Sequence, residues 1–162
     1  MISQAFLLLT YLSLCESIYK KLSNLSPSEE NTTVCSLLIE DALEVDFSVV
    51  TTLAVAFEES RFTAQLKPTK SNCVGPLQIK VKYWCPDKRL DRCEPIYEGV
   101  KALKYYVKKF KPERKAVCFY NNSKKKECSE KYKYTSHYVK NVYKHKKKIR
   151  DILKKKEFKD LF

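Results

Sequence analysis

The run "VVTTLAVAFEESRF" at residues 49–62 constrains the fold more than any other part of the chain. It is almost wholly apolar until two adjacent glutamates, Glu58 and Glu59, and its pattern predicts a helix that ends near Ser60. Neighbouring helical positions point about 100° apart. We therefore expect the two carboxylates to occupy different environments, one facing the interior and the other facing solvent.

The first residues, "MISQAFLLLTYLSLCES", have the layout of a secretory signal peptide, because an apolar run is followed by small residues. The pattern predicts a leader at 1–17 with cleavage after Ser17, then a polar segment at 18–33 and one folded domain at 34–162 with a basic C-terminal helix. A secreted or periplasmic location follows. The alternatives are a helix buried in the core and an N-terminal membrane anchor.

Cysteine usage supports secretion independently. The chain has seven cysteines, and removal of the leader with Cys15 leaves six, an even set that is typical of an oxidising compartment. Zinc is the alternative, but no CxxC pair occurs and the two histidines lie far from any cysteine cluster. Two short polar loops and one elimination predict the bridges Cys85–Cys93, Cys118–Cys128 and Cys35–Cys73. We expect these disulfides and no metal.

Positive charge is concentrated near the C-terminus. The net charge is +13, and residues 124–159 hold fifteen lysines and arginines against four acidic residues. Such a segment attracts polyanions. Nucleic acid, heparin-like glycans, anionic phospholipid and the acidic polymers of a bacterial envelope all fit, and so does a solvated lysine-rich helix without a partner. Charge alone does not choose among them.

Apolar residues recur at helical spacing through most of the chain. The patterns predict helices in "VCSLLIEDALEVD", in "IYEGVKALKYYVKKF" and in the basic segment, and Asp46 or Ser48 is the expected N-cap of the run quoted first. By contrast, "CVGPLQIKVKYW" contains Gly75 and Pro76 and predicts a turn before a short element. The sequence therefore predicts a mostly helical domain with irregular loops.

Four short motifs occur in order along the chain: "FEESRF" at 57–62, "VGPLQI" at 74–79, "FYNNS" at 119–123 and "SHYVKNV" at 136–142. Their order and spacing resemble the signature motifs of soluble lytic transglycosylases and goose-type lysozymes: a helix ending in Glu-Ser, Gly-Leu-Met-Gln, Ala-Tyr-Asn-Ala-Gly and a late Tyr-Val. The resemblance covers about residues 35–145. It implies an α+β lysozyme-like fold, predominantly α-helical, in a single disulfide-bonded domain that cleaves peptidoglycan between MurNAc and GlcNAc.

The resemblance also implies roles for individual residues. Glu59 matches the catalytic glutamate, and Glu58 falls on a position that varies in the family. A carboxyl group desolvated by apolar neighbours has a raised pKa and acts as a general acid near neutrality. Tyr138 is expected to hydrogen-bond Glu59, and either Thr69 or Ser71 supplies a loop hydroxyl. The implied substrate-binding residues are Ser60, Thr69, Ser71, Gly75, Gln78, Tyr120, Asn121 and Tyr138.

The chemistry of these side chains fits a sugar ligand. The Gln78 amide offers a donor and an acceptor to an N-acetyl group, and Gly75 lets the backbone approach the sugar closely. Tyr120 can stack on a sugar ring, while Asn121 can hold a turn or a hydroxyl. Simple core packing is the alternative for both Tyr120 and Tyr138, in a chain with eleven tyrosines.

The distribution of acidic residues bears on the mechanism. No Asp or Glu occurs between Ser60 and Pro86, and the next candidates are Asp87, Asp91 and Glu94. Most glycosidases need two carboxylates, but one suffices where the substrate's N-acetyl group is the nucleophile. The sequence therefore favours a lytic transglycosylase that gives 1,6-anhydro-muramyl ends without a cofactor. The alternatives are a goose-type lysozyme that adds water and a non-catalytic cationic antimicrobial or binding protein.

The resemblance finally implies a partner for the basic segment. Its lysines at 124–159 would bind the anionic cell-envelope surface, and nucleic acid is disfavoured. We expect Lys146, Lys147 and Lys148 to govern this association, and we expect the protein to be a monomer.

Overall fold

A computed structural model describes residues 4–122, 124–155 and 158. Predicted features at 1–3, 123, 156–157 and 159–162 lie outside the described residues. The predicted helical character is confirmed, because the described residues form seven α-helices, four short 3₁₀-helices and one two-stranded antiparallel sheet. In chain order the elements are α1 Gln4–Ser23, α2 Glu29–Glu44, α3 Val49–Ser60, β1 Cys73–Val74, β2 Ile79–Lys80, α4 Val81–Trp84, α5 Pro95–Lys109, α6 Glu113–Asn122 and α7 His137–Leu153.

Helix α3 lies at the centre of the core. Ser48 caps its N-terminus by accepting a 3.2 Å hydrogen bond from the backbone N–H of Thr51. Every residue at 51–57 is buried, and the helix packs against α2 and α7. Burial of apolar surface stabilises by about 25 cal/mol per Å². This packing therefore fixes the course of α3 and determines where its last turn carries Glu58 and Glu59.

Helix α1 crosses the boundary that the sequence pattern places after Ser17. Leu14, Cys15 and Ile18 are fully buried in the core, and the helix packs against α2 and α7. The segment at 18–33, predicted as a polar stretch separate from the folded domain, is part of that domain, because it holds the end of α1 and the start of α2. The structure matches the alternative of a buried N-terminal helix. Cleavage after Ser17 remains a prediction, and it would remove part of this core.

Three disulfides are present, and two are the predicted local bridges, Cys85–Cys93 and Cys118–Cys128. The predicted bridge between Cys35 and Cys73 is wrong. Cys35 pairs with Cys15, and Cys73 has a free thiol. The packing of α1 on α2 brings the two buried cysteines to a Cα separation of 5.8 Å, whereas the elimination had discarded Cys15 with the leader. Three disulfides are typical of proteins in an oxidising compartment outside the cytosol.

Helix α7 carries many lysines, but they are not equivalent. Lys140, Lys144 and Lys147 are exposed, and their spacing places them on one face of the helix. Lys146 is only 2% exposed and forms an ion pair with Glu113 of α6. The expectation that Lys146 takes part in envelope binding is therefore wrong, since helical periodicity places it on the core side.

The β1–β2 hairpin packs closely on the start of α5 at two glycines. Gly75 has φ +76°, and a Cβ there would lie 2.7 Å from the Cβ of Pro95. A Cβ at Gly99 would lie 2.9 Å from the Cβ of Leu77. Both distances are too short for another side chain, so the two glycines of the sequence permit this contact. No helix among the described residues has the length and apolar character to span a membrane.

Candidate active site

An open cleft of about 490 Å³ lies where the last turn of α3 meets the hairpin, α4, α5 and α6. Two segments distant in sequence contribute most of its lining: the hairpin with α4, and the end of α6. Five of the predicted site residues line it: Glu59, Ser71, Gln78, Tyr120 and Asn121. The other four predicted residues, Ser60, Thr69, Gly75 and Tyr138, lie outside the lining.

Glu59 lies in the last turn of α3 and lines the cleft. Burial raises its pKa from 4.5 to about 7. The hydroxyl of Tyr138 opposes this by donating a 2.6 Å hydrogen bond to Oε1, the charge of Glu58 adds to the increase, and Lys125 again opposes it. A carboxyl group with a pKa near 7 can donate and accept a proton at neutral pH, as acid–base catalysis requires.

Glu58 contacts helix α7, although the sequence pattern places one of the two glutamates in solvent. Its side chain is only 17% exposed, Asn141 donates a 2.9 Å hydrogen bond to Oε1, and His145 Nε2 lies 3.0 Å from Oε2. Burial favours the protonated form, but the hydrogen bonds from His145 and Asn141 outweigh it and lower the pKa of Glu58. The solvent prediction is wrong because α7 covers this side of α3. Adjacent carboxyl groups thus have pKa values shifted in opposite directions.

Tyr138 and Tyr120 both have buried hydroxyls with defined acceptors. The predicted hydrogen bond from Tyr138 to Glu59 is present, and this tyrosine lies behind the glutamate and not in the cleft lining. Tyr120 donates a 2.6 Å hydrogen bond to the carbonyl oxygen of Leu77, which ties α6 to the hairpin turn while Tyr120 lines the cleft. Burial raises the pKa of both phenols well above its usual value, so both remain hydrogen-bond donors.

The hairpin turn presents Gln78 to the cleft. Gln78 has a left-handed backbone with φ 52°, and its amide Nε2 donates a 2.9 Å hydrogen bond to the carbonyl oxygen of Gly75. The same carbonyl accepts the backbone N–H of Gln78 at 3.0 Å. Gly75 therefore shapes the turn and fixes the Gln78 side chain, while its own atoms lie outside the lining.

The loop before the hairpin distinguishes the two hydroxyl candidates. Ser71 lines the cleft. Thr69 is absent from the lining, and its hydroxyl accepts a 3.2 Å hydrogen bond from the backbone of Cys73 and lies 3.0 Å from Ser71 Oγ. Ser60 also lies outside the lining, since its hydroxyl donates to the carbonyl oxygen of Ala56 within α3. Thr69 thus shapes the loop that presents Ser71.

Aromatic rings form much of the cleft, and the motif analysis left most of them without a role. Tyr106 of α5 has its ring centroid 5.5 Å from Tyr120 and 6.2 Å from Trp84. The aromatic residues in the lining are Tyr83, Trp84, Tyr106, Phe119 and Tyr120. The three adjacent aromatic pairs at 83–84, 105–106 and 119–120 were the available sequence signal. These three pairs come together only when helices α4, α5 and α6 pack, so no single segment of the sequence predicts the cluster.

Glu59 is the one acidic side chain among the described residues that line the cleft. The three candidates for a second carboxylate lie elsewhere. Asp87 is paired with Arg92 and Asp91 with Arg89, each at 2.5 Å on the exposed disulfide loop. Glu94 is exposed at the start of α5. Within the described part of the chain, no group of three or more His, Cys, Asp or Glu side chains is arranged to hold a metal ion.

Comparison with protein-family models, with curated proteins and with solved structures finds no match to this chain. The geometry of the site must therefore support any functional conclusion. It combines a carboxyl group of pKa about 7, an amide and a hydroxyl in an aromatic cleft open to solvent. This arrangement suits proton transfer to a polar ligand that contains a ring.

Proposed function

We propose that the protein is a lytic transglycosylase that cleaves the MurNAc–GlcNAc bond of peptidoglycan, and that it is a divergent relative of the soluble lytic transglycosylases and goose-type lysozymes. One observation carries this proposal. Glu59 combines a pKa of about 7 with a position in an aromatic cleft whose described lining has no other acidic side chain. Aromatic faces suit sugar rings, and the Gln78 amide suits an N-acetyl group.

The reaction requires one proton donor that becomes an acceptor. The protonated Glu59 carboxyl gives its proton to the glycosidic oxygen while the bond from that oxygen to the anomeric carbon breaks. The N-acetyl carbonyl oxygen of the MurNAc ring bonds to the anomeric carbon and forms a cyclic oxazolinium intermediate. Glu59 then takes the proton of the 6-hydroxyl, whose oxygen bonds to the anomeric carbon as the N-acetyl oxygen leaves. Glu59 ends the cycle protonated, as it began.

The surroundings of Glu59 support this use of a single carboxylate. Tyr138 holds Oε1 through its 2.6 Å hydrogen bond and so orients the carboxyl group. Asp87 and Asp91, the next acids after Glu59 along the chain, are paired with arginines, and the described cleft lining has no second carboxylate to position a water. The substrate's own 6-hydroxyl is present at a high effective concentration and captures the intermediate. A goose-type lysozyme would use water for the same step.

Digestion of purified peptidoglycan tests the proposal. We expect Glu59→Gln to lower the cleavage rate at least about 100-fold, the low end for loss of a general acid. Glu58→Gln, the adjacent control outside the cleft, should change it less than about tenfold. Mass spectrometry should find muramyl ends lighter by one water than hydrolysed ends. Reducing ends alone would indicate the lysozyme, and lysis that survives Glu59→Gln would indicate a non-catalytic cationic protein.

We also propose that the exposed lysines of α7 hold this secreted or periplasmic protein on the anionic cell envelope. Lys140, Lys144 and Lys147 share one exposed face. Salt at 0.1 M screens the electrostatic field of such exposed charges over about 10 Å. Replacement of all three by glutamine should weaken sedimentation with cell walls and reduce its salt dependence. Cleavage of short soluble glycans should remain nearly unchanged.

A further inference from the structure

One face of helix α7 holds both carboxyl groups at the end of α3. Tyr138, Asn141 and His145 follow one another at spacings of three and four residues, so they lie on the same side of the helix. Tyr138 donates to Glu59, whereas the other two side chains bind Glu58. The proposed reaction uses Tyr138 and Glu59 and leaves the contacts of Glu58 without a role.

The contacts of His145 indicate where its ring carries hydrogen. Nε2 lies 3.0 Å from Oε2 of Glu58, and an ionised carboxylate only accepts hydrogen bonds, so Nε2 carries the hydrogen of this contact. Nδ1 is buried without a hydrogen-bond partner in the part of the chain that the structure describes. A second hydrogen on Nδ1 would be a buried donor without an acceptor, which is unfavourable. The geometry therefore favours a neutral ring with its hydrogen on Nε2.

A neutral His145 leaves the charge of Glu58 without a counter-ion. No lysine or arginine among the described residues forms an ion pair with Glu58. Arg61, the C-cap of α3, lowers the pKa of Glu58 without such a contact. The other helices packed here contribute neutral groups: the Tyr19 ring of α1 lies on the aromatic ring that precedes Glu58, and the Asn31 amide of α2 donates to the carbonyl oxygen of Arg61. Hydrogen bonds therefore stabilise this anion without neutralising it.

The charge of Glu58 acts on the adjacent Glu59. Burial is the largest cause of the raised pKa of Glu59, and Glu58 adds to it, whereas Tyr138 and Lys125 oppose it. Glu58 is thus the one negative charge among the groups that set this pKa. When two neighbouring carboxyl groups share one proton, the group with more hydrogen-bond donors is the one that ionises.

We propose that His145, as a neutral Nε2–H donor, is a positioning residue: with Asn141 it keeps Glu58 ionised and without a counter-ion, and this anion retains the proton on Glu59. The inference deepens the proposed function and rests on it for the use of that proton. Glu59 begins and ends the proposed reaction protonated, and an anion behind it favours the return of the proton in the second step. The two adjacent glutamates then have separate tasks, since one carries the proton and the other carries the charge.

A ¹³C titration of the glutamate carboxyl groups measures this coupling without turnover. Two carboxylates about 9 Å apart shift each other's pKa by about 0.3–1.3 units as the effective dielectric constant falls from about 80 to about 20. In Glu58→Gln the pKa of Glu59 should therefore fall from about 7 by this amount. The alkaline limb of kcat/KM for glycan cleavage should move to lower pH equally, which lowers the rate at pH 7 by up to about tenfold.

Glu44→Gln is the matched control, because it removes one exposed carboxylate at the end of α2. The pKa of Glu59 should stay near 7 in this variant. An unchanged pKa of Glu59 in Glu58→Gln would overturn the proposal. An equal fall in both variants would also overturn it, since net charge alone would then explain the shift.

Histidine labelled with ¹⁵N tests the state of the ring in the unmodified protein. A neutral ring has one nitrogen with hydrogen and one without, which give well-separated resonances, whereas the two nitrogens of a charged ring give similar ones. We expect a separated pair for His145 at pH 7, assigned against His137 by its absence from His145→Gln. Two similar resonances would overturn the neutral donor.

Replacements of His145 separate the effect of a donor from that of a cation. His145→Phe removes the donor, so the pKa of Glu58 should rise by about 0.4–1.5 units. His145→Gln supplies a neutral donor amide and should leave the pKa values of Glu58 and Glu59 near those of the unmodified protein. A higher pKa of Glu59 in His145→Gln would refute the proposal, because it would show that a cationic ring had been neutralising Glu58.

The pKa measurements and the cleavage assay separate this inference from the proposed function. Peptidoglycan cleavage by a protein whose Glu59 pKa does not respond to Glu58→Gln would refute the positioning role and leave the proposed function in place. The expected pKa shifts in a protein that does not cleave peptidoglycan would refute the proposed function and leave the coupling of the two carboxyl groups established.

Discussion

Replacement of Tyr138 by phenylalanine should raise the pKa of Glu59. The Tyr138 hydroxyl donates its 2.6 Å hydrogen bond to Oε1, and this bond favours the ionised carboxylate. A hydrogen bond to a charged group contributes about 1.5–3 kcal/mol, against about 1 kcal/mol for a neutral partner. The difference of about 0.5–2 kcal/mol corresponds to roughly 0.4–1.5 pH units at 1.36 kcal/mol per unit. The pKa of about 7 should therefore rise by about one unit.

Two experiments can measure this change in the pKa of Glu59. A ¹³C titration of the glutamate carboxyl groups reports the pKa of Glu59 directly, with its resonance assigned by absence from Glu59→Gln. The pH dependence of kcat/KM for glycan cleavage reports the same group in the free enzyme. Because the protonated form is the acid, the alkaline limb should move to higher pH by the same amount. The rate on the plateau should fall, since the carboxyl group is less well oriented.

Tyr120→Phe is the matched control. It removes a second phenol hydroxyl whose pKa burial also raises, but which donates to the Leu77 carbonyl oxygen and not to Glu59. The pKa of Glu59 should stay near 7 in this variant. A pKa that is unchanged or lower in Tyr138→Phe would refute the reasoning, because the hydrogen bond would then not favour the carboxylate. An equal rise in both variants would attribute the effect to altered burial.

Three further predictions concern stability. Lys146→Met should lower the free energy of unfolding in urea by about 1–3 kcal/mol, because the half-buried Glu113 carboxylate loses its charged partner and keeps only the hydrogen bonds from Thr51 and Tyr143, whereas exposed Lys147→Met should cost less than about 0.5 kcal/mol. Cys15→Ser should cost about 2–4 kcal/mol, and an unchanged stability would argue against its disulfide. Glu58 has a lowered pKa in the folded state, so its contribution is present above the ordinary value of 4.5 and is lost as pH falls below it. The unfolding free energies of the unmodified protein and Glu58→Gln should therefore differ at pH 7 and converge towards pH 3.

Local signals in the sequence predicted the local structure. Ser48 is one of the two expected N-caps, and α3 ends at the expected Ser60. The short polar loops that predicted the bridges of Cys85 and Cys118 span 8 and 10 residues, so closing them needs no knowledge of the overall packing. Helix caps, helix ends and local disulfides depend on residues that are neighbours along the chain, so the sequence alone predicts them.

Contacts between distant segments could not be predicted from local patterns, and the one that was predicted, between Tyr138 and Glu59, came from the family resemblance. Glu58 and His145 are separated by 87 residues, and only the packing of α7 on α3 shows that they meet. The sequence pattern places Glu58 in solvent, because a charged residue at a helix end is usually solvated. Lys146 was misassigned for the same reason, since composition counts its charge and only the fold shows its burial. The disulfide of Cys15 was missed because the apolar residues around it were assigned to a cleaved leader, whereas they form part of the core.

Trp84 has a consequence for measurement. It is the single tryptophan of the chain, it lines the cleft, and its ring centroid lies 5.5 Å from that of Tyr105 and 6.2 Å from that of Tyr106. Intrinsic tryptophan fluorescence therefore originates at one place, beside the proposed sugar path. A ring that stacks there displaces water from the indole and changes its emission, so occupancy can be followed without a label and in the inactive Glu59→Gln protein. Excitation of tyrosine adds energy transfer to the same indole from the neighbouring rings of Tyr105 and Tyr106.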